Sequence, residues 1–161
     1  MDKIIVICID DQRDVLAAVQ KDLSEFDSIL EIMDCESAAE AEELIEDLYV
    51  HEKPIGLIIC DHIMPEENGI DFLTRLQKDE RFKNISTILL TGLATHMDTI
   101  EAINKAHISN YVEKPWQPDD LKGKIKVILT RFIIANGMNY TAYNPFLDQE
   151  TLLRELKNRN Y

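Results

Sequence analysis

Residues 55–69 constrain this chain more than any other stretch. They read Ile-Gly-Leu-Ile-Ile-Cys-Asp-His-Ile-Met-Pro-Glu-Glu-Asn-Gly, a short apolar run that stops on an acid, Asp61, and breaks into a loop. Residues 57–60 are apolar at consecutive positions, the pattern of a strand buried on both faces of a parallel sheet; a half-exposed strand would alternate. Asp61 then sits at the carboxyl end of a strand, the edge at which open α/β sheets bind ligands. An acid there also serves as a turn former or helix cap. Its meaning depends on what the other strand ends carry.

The rest of the chain repeats the unit. Residues 4–9 are largely β-branched and end on Asp10-Asp11. Val15, Leu16, Val19, Leu23 and Phe26 recur at helical spacing, and a shorter strand is expected at 29–33. Ser37-Ala38-Ala39-Glu40 is a capping box, followed by the stripe Ala38, Ala41, Leu44, Ile45 and Leu48. After Asp61, Gly69 opens a helix with Ile70, Leu73 and Leu76 inward, and residues 85–90 supply a strand ending at Thr91-Gly92. Thr95-His96-Met97-Asp98 reads as another cap, before Ile100, Ile103 and Ala106. A short strand at 108–112 runs into Glu113-Lys114-Pro115-Trp116, and a long helix starts at Pro118 with Leu121, Ile125, Ile128, Leu129 and Phe132 inward. Strands alternating with helices predict right-handed crossovers and a doubly wound, flavodoxin-like (βα)5 parallel sheet of order 2-1-3-4-5, with a C-terminal helical extension.

Charge limits the partners. With 30 acidic against 17 basic side chains and a net charge of −13, the chain is not expected to bind nucleic acid, whose phosphates need Lys and Arg. The imbalance is local: residues 1–117 hold 10 basic and 25 acidic side chains, residues 118–161 seven and five. This suggests a change of character near Trp116; the expected organisation is a domain at 1–130 and a helical extension at 131–161 comprising the end of the long helix and a short further one. Cys8, Cys35 and Cys60 share no metal-ligand spacing and read as reduced core residues. The N-terminal apolar run is too short for a signal peptide or a membrane span, so a cytoplasmic chain is expected.

In strand order 2-1-3-4-5, Asp10-Asp11, Asp61, Thr91 and Lys114 end neighbouring strands. Each has a plain structural reading alone: a cap, a turn residue, a surface charge. Their coincidence at successive strand ends does not. Three clustered carboxylates repel one another unless a cation lies between them, and an all-oxygen site with room for water suits Mg²⁺. Lys114 and the Thr91 hydroxyl add a point charge and a donor for an anion beside Asp61. The set describes a phosphoryl-accepting site with Asp61 as nucleophile.

These residues, together with Met64-Pro65-Glu66-Glu67-Asn68-Gly69 and Tyr111-Val112-Glu113-Lys114-Pro115, closely resemble the receiver domain of two-component response regulators over residues 3–130. The resemblance implies that Asp61 accepts a phosphoryl group from a phosphohistidine on a sensor kinase or phosphotransfer protein. It implies that Asp11, Asp61 and the backbone carbonyl of Ile63 bind Mg²⁺, with Asp10 acting through water. Thr91 and Tyr111 would form a switch pair acting on the face made by the fourth helix, fifth strand and fifth helix, and Lys114-Pro115 would be a cis peptide. Ile63 and Leu93, two past the acceptor and two past the switch Thr, stand where family members admit and orient the hydrolytic water. Neither side chain can hydrogen-bond, which implies slow self-dephosphorylation. Such a domain signals rather than turning over a substrate.

Two rivals share parts of this chemistry. A haloacid dehalogenase-type phosphohydrolase also forms an aspartyl-phosphate, but places its nucleophile after the first strand in an Asp-x-Asp arrangement under an inserted cap. A flavodoxin-like redox module would need a phosphate-binding loop after the first strand. His62 reads as a loop residue at the pocket mouth with no role of its own, and His51, His96 and His107 as surface. In the tail, Asp148 as N-cap with Leu147 and Leu152 as staple predicts a helix over 149–158 whose apolar side is Leu152, Leu153 and Leu156. Val127, Ile133 and Ile134 form a second apolar face on the preceding helix. The tail either folds back on that helix or helps build a homodimer; the dimer is the favoured expectation, because two apolar stripes exceed what one back-folded pair would cover. The output is expected to be contact with an unknown protein target, either as a single-domain regulator or as the first domain of a longer chain.

Overall fold

The computed structural model describes residues 2–108 and 110–159. Its strands are β1 (Ile4–Ile9), β2 (Leu30–Cys35), β3 (Ile55–Asp61), β4 (Thr87–Thr91) and β5 (Tyr111–Glu113). They form one parallel sheet in the order β2-β1-β3-β4-β5. Helices α1 (Arg13–Asp22), α2 (Ala38–Val50), α3 (Gly69–Gln77), α4 (Met97–Lys105) and α5 (Pro118–Ala135) cover both faces. The flavodoxin-like architecture expected from the sequence is therefore the observed one.

The consecutive apolar runs have the cause anticipated for them. Ile4, Val6 and Cys8 of β1 pack with Leu57 and Ile59 of β3 into the core under α1 and α5, while Ile5, Ile7 and Ile9 join Ile58 and Cys60 in the core under α2, α3 and α4. Every residue of β1 and β3 is buried. A strand with no solvent face has no polar position until it ends.

Edge and boundary elements depart from expectation where that argument weakens. β2 runs to Cys35 instead of stopping at 33, because β1 offers it partners as far as Ile9; as an edge strand it is incompletely covered on both faces, which admits Glu31 on one and Asp34 on the other and hides the strand in the sequence. α1 ends at Asp22, and a 3-10 turn, Ser24–Phe26, carries Phe26 into the core in its place. Thr95 does not cap α4; His96 holds the N-cap position without a side-chain bond. β5 begins at Tyr111, not 108, since Ile108 is drawn into the close of α4 by its N–H bond to Ile103 and buried there. Ser109 lies outside the described residues.

The tail folds back. Gly137, at φ 65°, closes α5, with the Met138 N–H bonded to the Ile133 carbonyl. A short helix, α6 (Tyr140–Tyr143), and a 3-10 turn, Asn144–Phe146, lead to α7 (Gln149–Arg159). The Tyr143 hydroxyl donates to the Asp2 carbonyl at 3.0 Å, and the Phe146 ring lies tilted against Phe26 with centroids 6.2 Å apart. Asp148 caps α7 by accepting from the Thr151 N–H at 3.0 Å, while its own N–H donates to Thr130 Oγ1 of α5 at 2.9 Å. Leu147 and Leu152 are buried as the staple requires, but Leu153 is 69% exposed and does not belong to the inner stripe. Ile133 and Ile134 are buried within the chain, so the uncovered apolar face that favoured a dimer is largely filled by the chain's own tail. Phe132, expected inward, is only partly buried. Among the described residues no helix is long and apolar enough to cross a membrane.

Candidate functional site

The strand ends converge as the topology requires. Asp10 follows β1, Asp61 ends β3, Thr91 ends β4, and Lys114 follows β5. Lys114 Nζ lies 2.6 Å from Asp61 Oδ1 and 3.1 Å from Asp10 Oδ2, bridging two carboxylates that are 6% and 0% exposed as residues. The Lys114 N–H donates to the Thr91 carbonyl at 2.8 Å, which fixes the base of the lysine to β4. The Lys114–Pro115 peptide is cis, as the resemblance implied.

Charge and burial oppose each other here. Burial raises the Asp10 pKa above the ordinary carboxylate value and the Asp61 charge adds to it, against the stabilising Gln12 N–H at 2.9 Å and Lys114. Burial alone would lower the Lys114 ammonium, but its bonds and attraction to Asp61 and Asp10 prevail and hold its pKa above the usual value. Ligand oxygens of Asp10, Asp11 and Asp61 lie within 4.8 Å of one another, with Asp11 exposed at the mouth. One lysine cannot neutralise three carboxylates. The residual charge of about −2, all oxygen donors and open access at Asp11 fit a hydrated hard divalent cation.

The loop after Asp61 is held from several sides. The His62 N–H donates to the Leu90 carbonyl at 2.8 Å, and the Gly69 N–H to the His62 carbonyl at 2.7 Å. Arg75 of α3 bonds both Glu67 of the loop, at 2.9 Å, and Glu42 of α2, at 3.0 Å. Asn68 caps α3 by accepting from the Asp71 N–H at 2.9 Å. Gly69 packs so closely under Asp61 that a Cβ there would overlap the Asp61 carbonyl oxygen. Because the obstacle is backbone, Gly69→Ala is expected to cost about 1–3 kcal/mol of stability. Thermal denaturation checks it; an unchanged Tm would mean that the loop moves aside freely.

Of the remaining residues singled out, Ile63 lies two past Asp61 with its side chain 61% exposed, and Leu93 is partly buried. Tyr111 occupies the edge strand at 43% exposure. The Thr91 hydroxyl does not bond Asp61 among the described residues. It accepts the Leu93 N–H at 3.0 Å and meets His62 Nδ1 at 2.9 Å. His62 is thus not an idle residue at the pocket mouth: it is 8% exposed, and burial holds its imidazole pKa below the usual value despite the charges of Asp61 and Asp71. Its adjacency to Asp61 was visible in the sequence, but its partner depends on how β3 and β4 align. Asp61 pairs with Leu90, so one step further sets His62 beside Thr91.

Residues 6–126 match the family model of the response regulator receiver domain. The chemotaxis protein CheY1 of Helicobacter pylori is 32% identical over 124 residues, covering 77% of this chain and 95% of that protein. The hydrogenase transcriptional regulatory protein HoxA of Bradyrhizobium diazoefficiens is 32% identical over 121 residues, and the match spans 23% of its length. The receiver domain of an HD domain-containing protein from Pseudomonas fluorescens superposes with a TM-score of 0.70 at 22% identity, over 85% of this chain and 94% of that one.

Proposed function

This chain belongs to the response regulator receiver family, and from that membership we propose that Asp61 accepts a phosphoryl group from a phosphohistidine on a sensor histidine kinase or phosphotransfer protein. The observation that carries the reading is Lys114 held 2.6 Å from Asp61 and 3.1 Å from Asp10 within the three-acid cluster. A preformed positive charge beside a nucleophilic carboxylate has a use when a dianionic group arrives. An Asp61 oxygen attacks phosphorus, the P–N bond breaks with its electron pair returning to the donor imidazole, and the Asp61 acyl phosphate remains.

Receiver domains bind Mg²⁺ in general, and the acid cluster suits it: Asp11, Asp61 and the Ile63 carbonyl would hold the ion, with Asp10 acting through water. A bound Mg²⁺ supplies charge neutralisation for the transferring phosphoryl oxygens. Lys114 binds and orients the same group, Thr91 donates its hydroxyl to it, and Tyr111 follows by turning inward. The consequence is a changed α4–β5–α5 face and output by contact with a protein target or a second copy.

Acetyl phosphate with Mg²⁺ tests the reading without a kinase, since the pocket supplies most of the electrostatic catalysis. Intact-protein mass is expected to show Mg²⁺-dependent addition of one phosphoryl group; no addition would overturn it. The acyl phosphate is expected to decay slowly, because Ile63 and Leu93 offer no group to orient the attacking water. Each 1.4 kcal/mol of lost positioning slows hydrolysis about tenfold. In a phosphate-release assay the double variant Ile63→Asn, Leu93→Glu should decay about ten times faster than wild type, and an equal or slower decay would show that these positions do not set the lifetime.

A further inference from the structure

The Thr91 hydroxyl has a single proton, and its surroundings show where that proton goes. Thr91 is 1% exposed, and its oxygen already accepts the Leu93 N–H at 3.0 Å. A buried hydroxyl proton needs an acceptor, and His62 Nδ1 at 2.9 Å is the one in reach among the described bonds. If Nδ1 carried the hydrogen instead, the Thr91 proton would have no acceptor among the described groups. The ring is therefore the neutral Nε2–H form, with Nδ1 accepting. The backbone that carries the imidazole is anchored: the His62 N–H is tied to the Leu90 carbonyl at 2.8 Å and its carbonyl to the Gly69 N–H at 2.7 Å.

A phosphoryl group offers only acceptor oxygens, so it competes with Nδ1 for that one proton. We infer that His62 is a positioning residue that holds the Thr91 hydroxyl in the resting arrangement, and that phosphorylation must break the His62–Thr91 bond before Thr91 can engage the phosphoryl group. This rests on the proposed reading of Thr91 as the phosphoryl-sensing hydroxyl. The latch sets the position of the switching equilibrium: a stronger Nδ1 bond lowers the apparent affinity for a phosphoryl mimic, and losing it raises that affinity.

The test uses the full chain with Mg²⁺ and beryllofluoride, titrated by calorimetry. His62→Leu removes the acceptor while filling much of the space, and should bind beryllofluoride about fivefold more tightly than wild type, the factor equivalent to ~1 kcal/mol of net hydrogen bond. His62→Asn places Oδ1 as many bonds from Cα as Nδ1 and should restore the wild-type affinity. In a Thr91→Val background, His62→Leu should change nothing, because the shared proton is gone. An unchanged or weakened affinity in folded His62→Leu, or a tightening that persists in Thr91→Val, overturns the latch. Imidazole nitrogen NMR of the wild type is independent of how any variant folds: Nδ1 should show the shift of a hydrogen-bond acceptor at rest and lose it on adding beryllofluoride. Binding by wild type with no such change removes the latch alone, whereas no Asp61-dependent binding at all removes the phosphoacceptor reading with it.

Discussion

Phosphoryl incorporation from acetyl phosphate falls to background in Asp61→Ala, the largest functional effect expected of any single substitution here. The neighbouring acids are poor substitutes. Asp10 has both oxygens engaged, Oδ1 by the Gln12 N–H and Oδ2 by Lys114, and is fully buried. Asp11 is exposed, and among the described contacts Lys114 reaches only Asp10 and Asp61. A nucleophile needs both access and the charge that stabilises the incoming group, and Asp61 combines them: Lys114 bonds its Oδ1, while no described bond takes Oδ2 and its side chain keeps 9% exposure where that of Asp10 has none. Intact mass with and without Mg²⁺ measures the outcome. Labelling that persists in the variant would move the acceptor to another residue and remove the assignment.

The second large effect is on stability. A chain ending at Asn136 loses Tyr143, Leu147 and Leu152, each buried in the core with α1 and α5, and uncovers Ile133 and Ile134. At about 1.5–3 kcal/mol per buried apolar side chain, the loss is on the order of 5 kcal/mol even before the re-exposed isoleucines are counted. That is comparable with the whole stability of many domains, and corresponds to a fall in Tm of roughly 10–20 °C for a chain of this size. The truncated chain should also expose apolar surface to a reporter dye. A Tm within a degree or two of the full chain would show that α6 and α7 are an accessory layer and that the domain is sufficient without them. The family match ends at residue 126, yet the buried core continues into α7.

Latch and tail share a lesson about what one-dimensional patterns carry. Each rests on residues whose local chemistry is plain: a histidine beside Asp61, and apolar stripes on α5 and in the tail. In each case the open question was the partner. For the stripes, the choice between the chain's own tail and a second copy turned on surface left uncovered, and Ile133 and Ile134 are buried within one chain. Leu153 shows the same limit in miniature, since three leucines of one short helix cannot be sorted by spacing until the surface beneath is known; Leu152 is buried and Leu153 exposed.

By itself the sequence determined where each buried strand must end, because a run apolar on both faces tolerates no polar side chain until it leaves the sheet. That rule located Asp10, Asp61 and Thr91 at strand ends, with Lys114 just beyond β5, and the strand order then made them neighbours. Where a strand is only partly covered the rule lapses, as in β2, and at β5 the apolar Ile108 belongs to the close of α4 and not to the strand. Only the tertiary structure decided contacts between distant segments: the destination of the tail, the Tyr143–Asp2 bond that ties it to the N-terminus, and the His62–Thr91 bond across 29 residues. The physical reason is that burial is a property of each residue and is written in its side chain, whereas a hydrogen bond across a sheet depends on register, and register is set by packing summed over many side chains.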